Sequence, residues 1–181
     1  NIEITDYAVH FVDGRLYLAV SDSLLTIDYN NDPKIIDIIE FDGEIIGIEI
    51  DSTNLALHIL TDVGFFHSIS LIDSSELTPL PTSISQAPFQ AFYIASDGNV
   101  YASNEDRIAV FDGLVWSDAY SKTTSGDALD IIEVNGILYF SFDNEGVVRW
   151  DMNTNSALSS WTTANNLHSD SVSKFLVAGN Q

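Results

Sequence analysis

A repeated pair of residues constrains the fold of this chain more than any other feature of its sequence. An apolar residue followed by aspartate recurs as Ile27-Asp28, Ile72-Asp73, Phe111-Asp112 and Trp150-Asp151. The four aspartates are 45, 39 and 39 residues apart. Each pair is predicted to end a strand and precedes a polar turn, so a unit of strands and turns repeats about every 40 residues. This period predicts an all-β protein of the β-propeller class, in which each unit is a four-stranded blade.

A tyrosine placed three residues after a turn glycine supports the same division of the chain. The marker occurs as Gly14 with Tyr17, Gly98 with Tyr101 and Gly136 with Tyr139. In the second unit, Ala56 occupies the position of the tyrosine. Asp-Gly and Asn-Gly between apolar residues indicate β-hairpin turns. Because these tyrosines recur in phase, we expect them to pack blade against blade.

The two markers predict four blades and the start of a fifth within a single domain, residues 1–181. Their approximate bounds are 7–43, 44–88, 89–126 and 127–167, followed by a partial unit over 168–181 whose first strand covers 172–177. Pro79, Pro81 and Pro88 predict a short or missing outer strand in the second unit, because proline cannot donate to a sheet. Such a chain forms either a closed ring or a fragment of a larger propeller, and both alternatives are open at this point.

The last complete unit resembles a known repeat family. It contains Val147-Val-Arg-Trp-Asp151, then Trp161-Thr-Thr-Ala-Asn-Asn-Leu-His-Ser-Asp-Ser-Val172, then Gly179-Asn180. This is similar to the two-component-regulator propeller repeat, with Asn166 in the place of the usual glycine and His168 in that of the usual proline. The other units resemble quinoprotein-like and other propeller repeats only in general terms. The Trp-Asp pair also resembles WD repeats, but their Gly-His partner motif is absent.

The resemblance implies a multi-bladed module that binds a ligand or partner, often in an extracytoplasmic sensor region or at the cell surface. It implies no catalytic residues and no cofactor. We therefore expect an extracytoplasmic or cell-surface protein whose partner is a protein or a carbohydrate. Exposed blade edges would allow self-association if the chain is a fragment.

Charge excludes two classes of partner. The chain has 27 acidic and 6 basic residues and a net charge of −21, which argues against binding to nucleic acid or an anionic membrane. No apolar run approaches the ~18 residues of a membrane-spanning helix, so we expect no membrane insertion. The absence of cysteine excludes disulfides and thiolate chemistry. Part of the acidity reflects aspartate in hairpin turns, where its carboxylate bonds nearby backbone.

Two turns carry side-chain oxygens at alternate positions and are the candidate Ca²⁺ ligands. They are Asp28, Asn30 and Asp32 in the first unit, and Asp151, Asn153 and Asn155 in the fourth. Calcium requires six to eight oxygen ligands, and neither turn has the glycine and glutamate of a complete EF-hand loop. Aspartate and asparagine are also preferred turn residues, so the same pattern is typical of plain hairpins.

No other motif indicates catalysis. The four histidines lack zinc-site spacing, and His10 and His58 are expected to be hydrogen-bonded residues within strands. The acidic pairs Asp127/Asp130 and Asp143/Glu145 could serve a carbohydrate-active enzyme, although sequence does not give the distance between their carboxyls. Trp116 and Trp161 lie in outer segments and are candidates for stacking on a ligand, against the alternative that they pack in the core.

We therefore predict a non-enzymatic binding or scaffold module. A carbohydrate-active enzyme domain and a calcium-dependent adhesion module are the two alternatives.

Overall fold

A computed structural model of the chain shows four antiparallel sheets among the residues that it describes. The structure describes residues 4–10, 14–30, 32–63, 66–78, 89–122, 126–165 and 167–176, without the side chains of residues 9 and 10. Within each sheet the four strands follow one another in chain order. These residues include no helix, which agrees with the absence of a helical period, and therefore none that could cross a membrane.

The first compact unit, residues 1–89, contains two of the sheets. One is formed by β1 (Asp6–His10), β2 (Arg15–Val20), β3 (Ser23–Asp28) and β4 (Lys34–Glu40). The other is formed by β5 (Ile45–Asp51), β6 (Ala56–Thr61), β7 (Phe66–Ser70) and β8 (Glu76–Leu77). The two-residue β8 agrees with the short outer strand predicted at this point.

The second compact unit, residues 90–181, contains the other two sheets. The third sheet consists of β9 (Ala91–Ile94), β10 (Val100–Ser103), β11 (Arg107–Phe111) and β12 (Trp116–Ser121). The fourth consists of β13 (Ala128–Val134), β14 (Ile137–Phe142), β15 (Gly146–Asp151) and β16 (Ser156–Ala157). Beyond β16 the chain returns to the edge of β15, where Val147 and Trp161 exchange two backbone hydrogen bonds of 2.9 Å.

The turn between β13 and β14 shows how local sequence fixes a hairpin. Asn135 and Gly136 both have positive φ, 54° and 77°, which a two-residue turn matched to the twist of its strands requires. Glycine adopts this conformation without strain, and asparagine tolerates it better than most residues. The turn pairs Val134 with Ile137 and so sets the register of the whole hairpin.

The four repeated aspartates share one structural role. Each accepts a hydrogen bond from the backbone N–H two residues further on, with Oδ1 as the acceptor. The pairs are Asp28 with Asn30 (3.0 Å), Asp73 with Ser75 (3.1 Å), Asp112 with Leu114 (2.9 Å) and Asp151 with Asn153 (2.9 Å). The carboxylate thereby closes the turn that follows the third strand of each sheet.

These hydrogen bonds also lower carboxyl pKa values. The Ser75 hydroxyl and N–H lower the pKa of Asp73, and the N–H groups of Val115 and Leu114 lower that of Asp112. Burial raises the pKa of Asp151, but bonds from Asn153 and Thr154 outweigh it and the net direction is downward. A hydrogen bond to the charged form stabilises that form, so these turns favour ionised aspartate.

The core of the first unit lies between its two sheets. Its buried members are Tyr17, Ala19, Leu24, Ile45, Ile48, Leu57, Ile59, Ile69 and Leu71. Polar bonds join the same sheets at the borders of this core. A carboxylate oxygen of Asp6 on β1 accepts the N–H of Ile48 on β5 at 2.9 Å, and the Arg15 guanidinium donates to the carbonyl of Leu71 at 3.1 Å.

The second unit repeats this arrangement with its own residues. Its buried cluster contains Ala95, Tyr101, Ile108, Ala128, Ile131, Leu138, Phe140, Phe142, Val148 and Trp150. The carboxylate of Glu133 on β13 accepts both the N–H (2.7 Å) and the hydroxyl (2.5 Å) of Ser96, which follows β9. Gln90 bonds the Asp127 carboxylate at 2.8 Å and the Ala128 N–H at 2.9 Å, so it also joins the two sheets.

The tyrosine marker takes part in both cores. Tyr17 and Tyr101 are 4% and 2% exposed and lie in the clusters of the first and second units, as predicted. Burial, together with the nearby Asp97 carboxylate, raises the pKa of Tyr101 to about 12. Tyr139 is only partly buried and contacts the rings of Trp161 and Phe175, at centroid distances of 5.5 and 6.5 Å.

Two predicted strands differ from the observed ones. Ile72-Asp73 was expected to end a strand, but β7 ends at Ser70, because Asp73 is already in a turn closed by its bonds to Ser75. Residues 172–176 were expected to begin a fifth unit but form no strand. The described residues supply no neighbouring strand for them; the Phe175 N–H instead bonds the Asp130 carboxylate at 2.7 Å.

Substitution of Leu138 tests the position of the second core. Leu138 is fully buried on β14, so Leu138→Ala should lower the free energy of unfolding by about 2–5 kcal/mol. Leu114, which is 83% exposed, serves as the control, and Leu114→Ala should change it by less than about 0.5 kcal/mol. Urea unfolding followed by tryptophan fluorescence measures both. Equal effects of the two substitutions would contradict the assigned core.

Candidate functional site

A groove in the first unit is the candidate functional site. It lies where the end of β4 approaches β7 and β8, and its cavity volume is about 310 Å³. Its residues are of three kinds: apolar (Ile39, Phe41, Ile69), acidic (Glu40, Asp42, Glu76) and neutral polar (His67, Ser68, Ser74).

Strand alternation explains why the groove has apolar and acidic parts. Successive side chains of a strand point to opposite faces, so Ile39 turns toward the core while Glu40 is exposed. Ile39 and Phe41 pack partly buried against the core of the unit, and the N–H of Phe41 donates to the carbonyl of Asp22 at 2.8 Å. The apolar side chains therefore form the base of the groove and the carboxylates its rim.

An aromatic contact joins the two sheets at this point. The rings of Phe41 and His67 lie 4.8 Å apart between centroids, at an interplanar angle of 55°. The Nε2 atom of His67 is buried, and no hydrogen-bond partner reaches it from the described part of the chain. A buried polar atom without a partner is uncommon, and a hydrogen-bonding group bound in the groove would satisfy it.

The groove is strongly electronegative. Glu40, Asp42 and Glu76 are all exposed, and no lysine or arginine is among its described lining residues. The net charge of −21 adds a long-range attraction for cations. The arrangement suits a ligand with an apolar stem and a positively charged end, since the stem can contact Phe41 and the charge can approach the rim.

A second polar array lies within the second sheet and was not predicted. His58 on β6 and Ser68 on β7 are directly opposite, and His58 Nδ1 is 2.7 Å from Ser68 Oγ. His58 Nε2 is 3.9 Å from a carboxylate oxygen of Asp51, beyond hydrogen-bond reach but close enough for electrostatic attraction. The serine–histidine spacing across the hairpin is the sequence signal that could have indicated this pair.

The buried array acts structurally. Ser68 and His58 are only 1% and 8% exposed, so a substrate has little access to the hydroxyl. The Asp51 carboxylate already accepts bonds from Thr53 and Asn54 in the next turn. Burial lowers the pKa of His58 despite the opposing effect of Asp51, which favours the neutral ring. The expectation that His58 is a hydrogen-bonded strand residue is confirmed.

In each candidate calcium turn, the first aspartate already accepts hydrogen bonds from backbone N–H groups of the same turn. Asp28 bonds the N–H of Asn30, and Asp151 bonds those of Asn153 and Thr154. Asp32 is exposed, and Asn155 has a positive φ of 50°. Within the described ranges, no three His, Asp or Glu side chains are grouped so as to hold a metal. Calcium binding at these turns stays a prediction.

The two tryptophans differ in environment. Trp116 is 7% exposed and packs on Phe111 at a centroid distance of 5.4 Å, which favours the packing alternative. Trp161 is half-buried beside Tyr139, and the Arg149 guanidinium lies 4.8 Å from its ring centroid. Trp161 therefore has two neighbours from its own sheet, and its stacking on a ligand stays a prediction.

Three of the four acidic residues in the pairs weighed for catalysis have partners of their own. Asp127 accepts a bond from Gln90, and Asp130 accepts the N–H of Phe175. Glu145 lies 3.4 Å from the buried ammonium of Lys122, which also contacts the Phe142 ring at 3.7 Å. Burial lowers the pKa of this lysine, against the attraction of Glu145. Glycoside hydrolysis by these carboxyls stays an alternative prediction.

The remaining histidines are not grouped with these sites. The side chain of His10 lies outside the described residues, and His168 is exposed in a loop.

Comparison with known proteins identifies the fold. No protein-family model and no curated protein matches the sequence. Among solved structures, the chain is similar to that of U3-55K (TM-score 0.71, 11% identity, 87% of this chain and 51% of that one). It is also similar to the WD40 repeats of RRP9 (TM-score 0.73, 11% identity, 91% of this chain and 53% of that one). A third similar structure is Kuenenia stuttgartiensis hydrazine synthase (TM-score 0.70, 10% identity, 86% of this chain and 48% of that one).

These similarities confirm the predicted fold class, an all-β protein of the β-propeller type. At 10–11% identity, these similarities establish the fold but not the function. The chain spans about half the length of the structures that it matches. Membership of the two-component-regulator repeat family stays a prediction.

The lowered pKa of His58 predicts a specific pH dependence of stability. Above pH 6.5 the ring is neutral in both states, and its bond to Ser68 contributes fully. As the pH falls below 6.5 the unfolded chain takes up a proton that the folded chain resists, so this contribution is lost. The difference in unfolding free energy between the wild type and His58→Gln should therefore shrink from pH 7 to pH 5. Urea titrations measure it.

His168→Gln is the matched control, because His168 is exposed. Its difference from the wild type should stay constant over the same pH range. A difference for His58→Gln that is independent of pH would contradict the buried neutral histidine.

Proposed function

We propose that this chain is a non-enzymatic binding module of the propeller class whose groove receives a cationic side chain of a protein partner. One observation carries the proposal: three exposed carboxylates surround an apolar base, with no lysine or arginine among the described lining residues. The propeller fold is consistent with a binding role but does not determine one. The sensor or cell-surface setting implied by the repeat resemblance is part of the same proposal.

Lysine and arginine have the chemistry that the groove accommodates. Each carries a positive charge on an apolar stem, which can lie along Ile39 and Phe41 while the charge stays near solvent. Arginine fits better than lysine, because its planar guanidinium donates in two parallel bonds to a carboxylate and stacks on an aromatic ring. The rim supplies carboxylates from two sheets, Glu40 at the end of β4 and Glu76 on β8, and both are available to a guanidinium bound in the groove.

The binding proposal is favoured over the two alternatives on geometry. Three of the four acids considered for an enzyme have partners in Gln90, Phe175 and Lys122. The first aspartate of each turn considered for calcium accepts N–H groups of its own turn. No observation favours a carbohydrate ligand over a protein one, whereas the charge of the groove favours a basic protein segment.

Titration with short peptides tests the groove. The probe is acetyl-Gly-Arg-Gly-amide, and the matched neutral peptide has glutamine in place of arginine. Chemical-shift changes in ¹H–¹⁵N spectra should centre on Phe41 and His67 for the arginine peptide and be absent for the glutamine peptide. Glu40→Gln and Glu76→Gln should each weaken binding by a factor of about 1.4 to 5, because exposed ion pairs contribute about 0.2–1 kcal/mol.

Glu105→Gln is the control, since Glu105 is an exposed glutamate of the second unit. It changes the net charge equally but should leave binding unchanged. If Glu105→Gln weakened peptide binding as much as the groove substitutions do, or if chemical-shift changes were spread over the whole surface, the attraction would be general. Either result would contradict the groove as the binding site.

A further inference from the structure

The outer strand β4 is an edge of unusual composition. It pairs only with β3 and is the last strand of its sheet among the described residues. Its sequence is Lys-Ile-Ile-Asp-Ile-Ile-Glu, and three of its isoleucines are largely exposed: Ile35 (53%), Ile36 (45%) and Ile38 (57%). An edge strand with exposed β-branched residues is a template for pairing with another strand.

We propose that β4 binds a basic segment of a protein partner as an added antiparallel or parallel β-strand. The inference rests on the proposed function in taking a cationic protein as the partner, but it assigns a different surface and mode of binding. Because Ile39 and Glu40 belong to β4 and also line the groove, a strand added to this edge would lie next to the groove.

The backbone register shows which groups of β4 are available. The N–H of Phe41 donates toward the β3 side, to the carbonyl of Asp22. Backbone groups of a strand alternate in direction, so the N–H groups of Ile38 and Glu40 point away from β3. These outward groups are the ones that an added strand would engage. A bulge between the pairs of Thr26 and Ile27 leaves Ile36 without a direct partner and limits the regular edge to its second half.

A carboxylate covers one of these outward groups. Oδ1 of Asp37 accepts the N–H of Ile38 at 2.9 Å. An added strand would need that N–H, so the carboxylate must rotate away first. A lysine or arginine on the incoming strand opposite Asp37 would attract the carboxylate and release the amide. Asp37 therefore opposes pairing with neutral or acidic strands and favours basic ones.

Charge selects a basic partner over a second copy of this chain. Two β4 strands could pair antiparallel with Lys34 opposite Glu40, but Asp37 would then face Asp37. Like charges directly opposite are destabilising, and each copy also carries a net charge of −21. The acidic residues around the edge, Asp32, Asp37, Glu40 and Asp42, have the opposite sign to a basic strand. Charge complementarity therefore points to the basic segment.

Strand peptides test the proposal. The probe is acetyl-Lys-Val-Lys-Val-Lys-Val-amide, and the matched peptide carries N-methyl groups on alternate amides, which removes donors without changing charge. The unmethylated peptide should slow hydrogen exchange at the Ile38 and Glu40 amides and bind at least about tenfold more tightly, because two or more backbone bonds depend on its amides. Ile38→Lys should reduce its binding by a similar factor, with Leu114→Lys as control.

Asp37→Ala tests the selective role of the carboxylate. The same peptide with glutamine in place of each lysine should bind the wild type weakly and the Asp37→Ala variant more tightly. The ratio of the affinities for the lysine and glutamine peptides should therefore be smaller for Asp37→Ala than for the wild type. An unchanged preference would overturn the role of Asp37.

Three outcomes would overturn strand addition. If the methylated peptide binds as tightly as the unmethylated one, contact is by side chains alone. If the arginine peptide still binds the groove while the strand peptide does not bind, the edge is not a site although the groove is. If sedimentation shows that the wild type is a dimer and that Ile38→Lys is a monomer, the strand that pairs with β4 comes from a second copy of the chain.

Discussion

The rest of this structure depends on one kind of interaction, the hydrogen bond from a backbone N–H group to a side-chain carboxylate. At least twelve of the 27 acidic side chains accept such a bond, at turns, along strand edges and between sheets. The four repeated aspartates close equivalent turns, Asp6 and Glu133 join the sheets of each unit, and Asp130 holds the segment at Phe175. Close to half of the acidic side chains therefore have a structural role as hydrogen-bond acceptors.

The remaining carboxylates account for the proposed function. Glu40, Asp42 and Glu76 lie at the rim of the groove, where no lysine or arginine among the described lining residues offsets them. Asp37 belongs to both groups, because it caps an outward amide and would also meet a basic strand. In the proposed function, the chemical group that closes the turns would also attract a cationic segment of a protein partner.

The sequence predicts local features well because short-range chemistry sets them. The repeat interval, the turns at Asp28, Asp112 and Asp151, and the hairpin at Asn135-Gly136 all depend on neighbouring residues. Ile72-Asp73 misled because an apolar–aspartate pair can lie within a turn as readily as at a strand end. The groove could not be predicted, since Phe41 and His67 are distant in sequence and meet only through the packing of two sheets. The exposure of β4 is equally invisible, because a run of isoleucines usually indicates a buried strand.

Measurement of individual aspartate pKa values by ¹³C NMR tests the central claim most directly. The carboxyl groups of Asp73 and Asp112 should titrate below the ordinary value of 3.8, because the folded turns donate N–H groups to their charged forms. Stability that depends on these bonds should be present above pH 3.8 and be lost as the pH falls through the lowered values. Titration of both groups at or above 3.8 would contradict the account, since the turn carboxylates would then not be holding the backbone.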